Sequence, residues 1–171
     1  TRDPDYNRLT RMFTARPDGP DIRVINDDGN TSHFIWRDPE HILAWAIRHP
    51  QYGDRFLLFK DADTREVSAI DDRDIPSDGH VGYLPDKQWI ISDSYPDDHR
   101  LQHLFLYNLE SQTKIPIGYF YLPPDYKGEY RIDLHPRISP DGRYVVVDSA
   151  HGGCGRQMYL IDISGITQGT E

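Results

Sequence analysis

The 171 residues hold one cysteine, Cys154, and two methionines. A single thiol excludes an intramolecular disulfide and any cysteine-rich metal centre, and leaves Cys154 as a structural thiol. No apolar stretch approaches the ~18 residues of a membrane-spanning helix, so no membrane partner is expected. Basic residues are outnumbered, 19 Lys and Arg against 28 Asp and Glu, for a formal charge of −9. General nucleic-acid binders show a basic face, so that class is set aside. A polyanionic ligand would have to be gripped by local cations against the overall field. No Gly-rich phosphate loop, nucleophile elbow or Cys-His pair stands at a telling spacing. No segment repeats its apolar residues with the helical period.

A repeat takes the place of these signals. "TSHFIWRDPEHILAWAI" (31–47), "DGHVGYLPDKQWIISDS" (78–94) and "DLHPRISPDGRYVVVDS" (133–149) align over 17 positions without a gap, and superimpose His33, His80 and His135. A turn follows each first run, at 37–40, 84–87 and 139–142, and a second apolar run follows the turn. Asp93-Ser94 and Asp148-Ser149 close two copies, whereas Ala46-Ile47 stands in the first. "FLLFKD", "LFLYNL" and "MYLIDI" start 23, 24 and 23 residues after their histidines. A fourth run, "REVSAI" or "TKIPIG", follows in two copies.

The histidines are 47 and 55 residues apart. Four short strands in a unit of ~40–50 residues are the signature of a β-propeller blade. The runs are β-branched and aromatic and are bounded by Gly, Pro, Asp and Asn, as hairpins require. The predicted fold is therefore all-β: a propeller of four-stranded antiparallel blades. The segments are a blade tail at 8–30, blades at 31–72 and 78–120, an insert at 121–132, and a blade at 133–166. That makes about three and a half blades of the ~4–8 in a closed ring. The chain is expected to be part of a longer protein whose remaining blades are its partners. The compartment stays open between cytoplasm and periplasm.

In a blade, the head of the innermost strand shares a rim with the connection between the second and third strands. His33, His80 and His135 fall at that head, beside the channel, and His49, His99, His151, Arg55, Arg100 and Arg156 fall in the connections. The stretch 121–137, the insert and the head of the next blade, adds Tyr126, Tyr130, Arg131 and Arg137. Loops at one end of a rigid scaffold are where function collects. Three readings stay open for the histidines. They hold each blade together, they converge on a divalent metal, or one of them works as a base near neutral pH. Arginines beside them suit a carboxylate-bearing ligand. Asp93 and Asp148 read as loop anchors rather than a catalytic pair.

The blade-head histidines, together with the insert "YLPPDY" and the segment "RIDLHPRISPDGRYVVVDSAHGG", resemble the oligogalacturonate lyase-like branch of the TolB-like seven-bladed propellers. The likeness is best over 78–163. It implies a polysaccharide lyase that cleaves acidic, uronic-acid oligosaccharides by β-elimination, with a manganese-type divalent ion held by histidines and a glutamine. By position, His80 and His135 match metal histidines and His33 matches the base. The second metal histidine is Arg137 here, and the glutamine is Ile132. Arg100 and Arg137 are expected to clamp the carboxylate or carry the catalytic charge. Tyr126, Tyr130, Arg131 and His151 are expected to bind substrate. Two alternatives share the scaffold: a non-catalytic TolB-like propeller that binds a protein or saccharide across this rim, and a glycoside hydrolase.

Overall fold

The computed structural model describes residues 10–19, 21–27, 30–70, 75 and 77–167. Positions 8, 9, 20, 28, 29, 71 and 72 of the expected blade boundaries lie outside the described residues. The chain divides into two compact units, Thr1–Ser77 and Asp78–Glu171.

The first unit holds a two-stranded hairpin, β1 (Met12–Ala15) with β2 (Ile22–Asn26), and a four-stranded antiparallel meander. The meander runs β3 (Asn30–Asp38), β4 (His41–His49), β5 (Gly53–Lys60) and β6 (Val67–Ala69), each strand beside the next. Met12 and Ile25 of the hairpin close on Ile42, Ala44, Ala46, Leu57 and Phe59 to make one buried cluster. These are alternate residues of β4 and β5, as a one-sided contact between sheets requires.

The second unit holds a four-stranded meander, β7 (Val81–Tyr83), β8 (Trp89–Asp93), β9 (Leu101–Asn108) and β10 (Lys114–Tyr121). A three-stranded sheet follows: β11 (Arg137–Ile138), β12 (Tyr144–Ser149) and β13 (Gln157–Asp162). Trp89, Ile91, Leu104 and Leu106 of the first sheet meet Val145 and Val147 of the second, with Leu84, Leu134 and Ile163 sealing the ends. β10 is an edge strand, so Pro116 is tolerated there, beside a register shift. The insert carries one short 3-10 turn, Gly128–Tyr130. It has a small core of its own: Leu122, Ile132 and Ala150, with Tyr126 packed against them.

The tight turns follow their sequences. Asp86 accepts the N–H groups of Gln88 and Trp89 at 2.9 and 3.2 Å, and Asp141 accepts that of Arg143 at 3.1 Å. The residue after each aspartate is left-handed, φ +62° at Lys87 and φ +71° at Gly142. The lysine bears a conformation that glycine adopts without cost. In the first unit Asp38, one position earlier in the alignment, takes the equivalent N–H from Glu40 at 2.9 Å. No described helix is long and apolar enough to cross a membrane.

Candidate functional site

The second unit brings two of the expected histidines together. His80 precedes β7 and His135 precedes β11, which is the head of the innermost strand in each sheet. Their ring centroids are 3.5 Å apart with a 35° tilt, so the imidazoles overlap face to face.

Asp93, the last residue of β8, holds both. Its Oδ1 accepts the backbone N–H of His80 at 2.6 Å, and its Oδ2 accepts that of His135 at 3.0 Å. The His80 ring completes the set, with Nδ1 3.0 Å from Oδ2 and 3.2 Å from Oδ1. A carboxylate only accepts, so Nδ1 bears a proton, and in the neutral ring Nε2 carries the lone pair. The Asp93 side chain is 2% exposed and that of His80 12%. Gly79 makes the approach possible, because a Cβ there would overlap the carbonyl oxygen of Asp93.

His135 is left-handed, φ +46°, a conformation that costs a non-glycine residue on the order of 1 kcal/mol. The peptide that precedes His135 is pinned at both ends, its Leu134 C=O by the Asp148 N–H at 2.8 Å and its His135 N–H by Asp93. Partial burial, and then the neighbouring His80 ring, hold the His135 imidazole below its ordinary range.

The arginines divide by what they already hold. Arg100, itself at φ +65°, donates Nε to Leu122 C=O at 2.9 Å and an Nη to the carbonyls of Pro123 and Tyr126 at 3.0 and 3.2 Å. It ties down the insert, a different task from the carboxylate clamp expected of it. Arg131 lies over the Tyr95 ring at 4.7 Å and forms a two-pronged pair with Asp133 at 2.7 and 2.9 Å. Burial, followed by the Asp78 charge, raises the Tyr95 phenol. Arg156 pairs with Asp148 at 2.6 Å. Arg137 is exposed on β11, and its guanidinium has no hydrogen-bond or ion-pair partner among the described residues.

Of the aromatic positions, Tyr130 is 80% exposed on the insert, whereas Tyr126 is half-buried in the insert's core. His151 is exposed, its Nδ1 2.9 Å from the Ser149 hydroxyl and its ring tilted over Tyr159 at 4.2 Å. His33 belongs to the first unit. It lies within β3 at a register shift, not ahead of the strand, with Nδ1 3.2 Å from the Ser32 hydroxyl. The Asp93 position is Ala46 there, so that blade has no equivalent carboxylate. A concavity of about 570 Å³ is also in the first unit, and none of the expected site residues lines it.

Arg100→Ala is expected to destabilise the second unit by about 2 kcal/mol, because it strands carbonyls at the buried base of the insert. Limited proteolysis would show cleavage appearing between 122 and 132. Arg100→Lys should recover little, since a compact ammonium lacks the planar fork.

Sheets of this order, with each strand beside its chain neighbour and the innermost strand first, are blades of a β-propeller. No known family description matches the sequence, and no curated protein does. Solved structures do. TolB from Acinetobacter baumannii superposes with a TM-score of 0.65 at 16% identity, over 90% of this chain and 35% of that one. Oligogalacturonate lyase from Vibrio parahaemolyticus gives 0.69 at 17% identity, over 94% and 44%. An oligogalacturonate lyase in complex with manganese gives 0.67 at 16%, over 91% and 42%. This chain spans less than half the length of each of these structures. At these identities the likeness establishes the propeller fold, as the sequence repeat led us to expect.

Within the second unit the residues do not fit a manganese-type ion. Imidazoles that share an ion aim their ring nitrogens at one point and diverge behind it, whereas these two overlap. Both Asp93 oxygens are taken by N–H groups. Ile132 is 3% exposed and apolar, and Arg137 is a cation. Among the described residues no group of three or more His, Cys, Asp and Glu side chains is placed to hold a metal.

Asp93 is the site residue that the sequence underrated. Its signal was present in the matched ends of the two second strands. Its partner, however, is a backbone N–H 42 residues away, and residue types leave no trace of that.

Proposed function

We propose that the protein acts on uronic-acid oligosaccharides as a polysaccharide lyase, by β-elimination. The observation that carries this reading is Arg137, a guanidinium without a partner among the described residues, two positions from the stacked His80–His135 pair. A substrate carboxylate would take both prongs of Arg137, and the charge developing on that carboxylate in the transition state would be neutralised there. A blade-head histidine takes the C5 proton. The C5–H electron pair becomes the C4–C5 double bond, and the C4–O bond breaks with its electrons leaving on the oxygen of the departing sugar, which then takes up a proton. In this reading Arg137 supplies the positive charge that the resemblance assigns to manganese. Tyr130 offers an exposed ring for a sugar face, with His151 and Arg131 on neighbouring loops, and Tyr126 supports the insert from below.

The test is the ultraviolet absorbance of the unsaturated uronide, followed with the natural full-length protein on several uronic-acid oligomers, with manganese and with a chelator. Turnover that persists under chelation is expected, as is a fall of about 10²–10³-fold in kcat/KM for Arg137→Ala. No absorbance gain on any uronide, with or without the metal, would discard the lyase.

A second reading has one observation in its favour. Asp93 grips the backbone N–H groups of both histidines as well as a ring, as a purely structural pair would require. In that case the rim binds a saccharide or protein without turnover. A glycoside hydrolase is less well supported, because it needs two working carboxylates. Asp93 is spent on N–H groups and Asp148 on Arg156.

A further inference from the structure

We infer that Asp93 is a positioning residue. It fixes His80 in the Nδ1–H tautomer, which places the lone pair of the neutral ring on Nε2. The geometry rests on three N–H groups meeting one buried carboxylate, two from the backbone and one from the ring. The backbone bonds fix where the carboxylate sits. Asp93 also donates its own N–H to His80 C=O at 3.3 Å, which locks the two residues edge to edge. With both oxygens pinned, the ring has one low-energy orientation. The His135 ring at 3.5 Å then closes one face of it and leaves little room to rotate. Without the carboxylate an imidazole exchanges its proton between the two nitrogens, and half of its orientations present the wrong one. The carboxylate–imidazole pair is a recurrent way to hold a histidine ready for work, whether its other nitrogen meets a proton or an electrophile.

The inference goes further than any strand-end anchor. The two backbone bonds already anchor the strand end; the Nδ1 contact adds to that hold and, beyond it, selects the ring's tautomer. In the first unit, where Ala46 stands at the matched position, His33 turns to a neighbouring hydroxyl instead. On the lyase reading, His80 rather than His33 is the histidine prepared to meet substrate. The tautomer itself does not depend on that reading.

The experiment is nitrogen NMR on the full chain with ¹⁵N-histidine, the His80 signals assigned by their loss in His80→Gln. In the wild type His80 is expected to show a protonated Nδ1 and an unprotonated Nε2. Asp93→Asn should reverse this. Asparagine keeps one acceptor oxygen, enough for one of the two backbone N–H groups, and turns an NH₂ toward the ring, and an NH₂ satisfies only an unprotonated Nδ1. Wild-type His80 in the Nε2–H form would overturn the inference, and so would an unchanged tautomer in folded Asp93→Asn. The wild-type spectrum decides alone if the variant fails to fold. With the natural full-length protein, Asp93→Asn should lower kcat on uronides by about 10²-fold with KM within about twofold. If the tautomer is as stated and no uronide is cleaved, the inference stands and the lyase reading falls.

Discussion

Gly79→Ala is expected to be the most destructive single substitution in the second unit, costing more than about 4 kcal/mol. The new Cβ would run into the backbone carbonyl oxygen of Asp93, with the Asp93 carboxylate close behind. A flexible side chain would swing aside, but a strand carbonyl does not. Relief requires the chain at 79–80 to move off β8, and that breaks the Asp93 N–H bond to His80 C=O and pulls the His80 N–H away from the carboxylate. The loss therefore compounds overpacking with unpaired buried polar groups. Gly82→Ala is the control. Its Cβ would lie 3.6 Å from a methyl of Ile91, an ordinary contact within a strand. It should shift the urea midpoint little, in either direction, by under about 1 kcal/mol. Near-wild-type unfolding of Gly79→Ala would mean that the strand end and the blade head are not in register as described.

The contrast between these glycines shows how far the sequence could be read. Gly79, two residues ahead of β7, and Gly82, within it, look interchangeable in one dimension. The strands themselves were legible, because β12 is "YVVVDS" behind a Ser-Pro-Asp-Gly turn and admits little else. Periodicity reports which residues face a core, and so Val145 and Val147 were findable. The same signal carries nothing about backbone partners. Arg100 looked like a rim cation because a left-handed arginine that folds back on an insert leaves no mark in composition. His33 looked like a blade head because the alignment ran without a gap, while Asp38 takes over the turn one position early and the strand absorbs the difference as register shifts. The site was thus legible as a set of residue types on one rim. The division between arginines that hold the fold and one that has no partner among the described residues was not.

Asp93→Ala and Asp148→Ala should separate sharply, although the two aspartates end equivalent strands of the repeat. Asp93→Ala removes the acceptor of two backbone N–H groups and one ring N–H at a site 2% exposed. The carboxylate that the three share is buried, and its loss strands all of them at once, so the expected cost is about 3–5 kcal/mol. The damage should also cross between sheets, because His135 N–H belongs to the second sheet while Asp93 belongs to the first. Released from Asp93, His135 has less to hold it at φ +46°, and the stack with His80 should loosen. Asp148→Ala breaks one ion pair, whose arginine side chain is 59% exposed and returns to water. Its own N–H bond to Leu134 C=O is a backbone bond and survives. The expected cost is under about 1 kcal/mol. Urea unfolding of the two variants, with tryptophan emission reporting on Trp89 in the shared core, measures both. Equal costs would mean that Asp93 holds nothing beyond its own strand end, and the stacked histidines would then need another explanation.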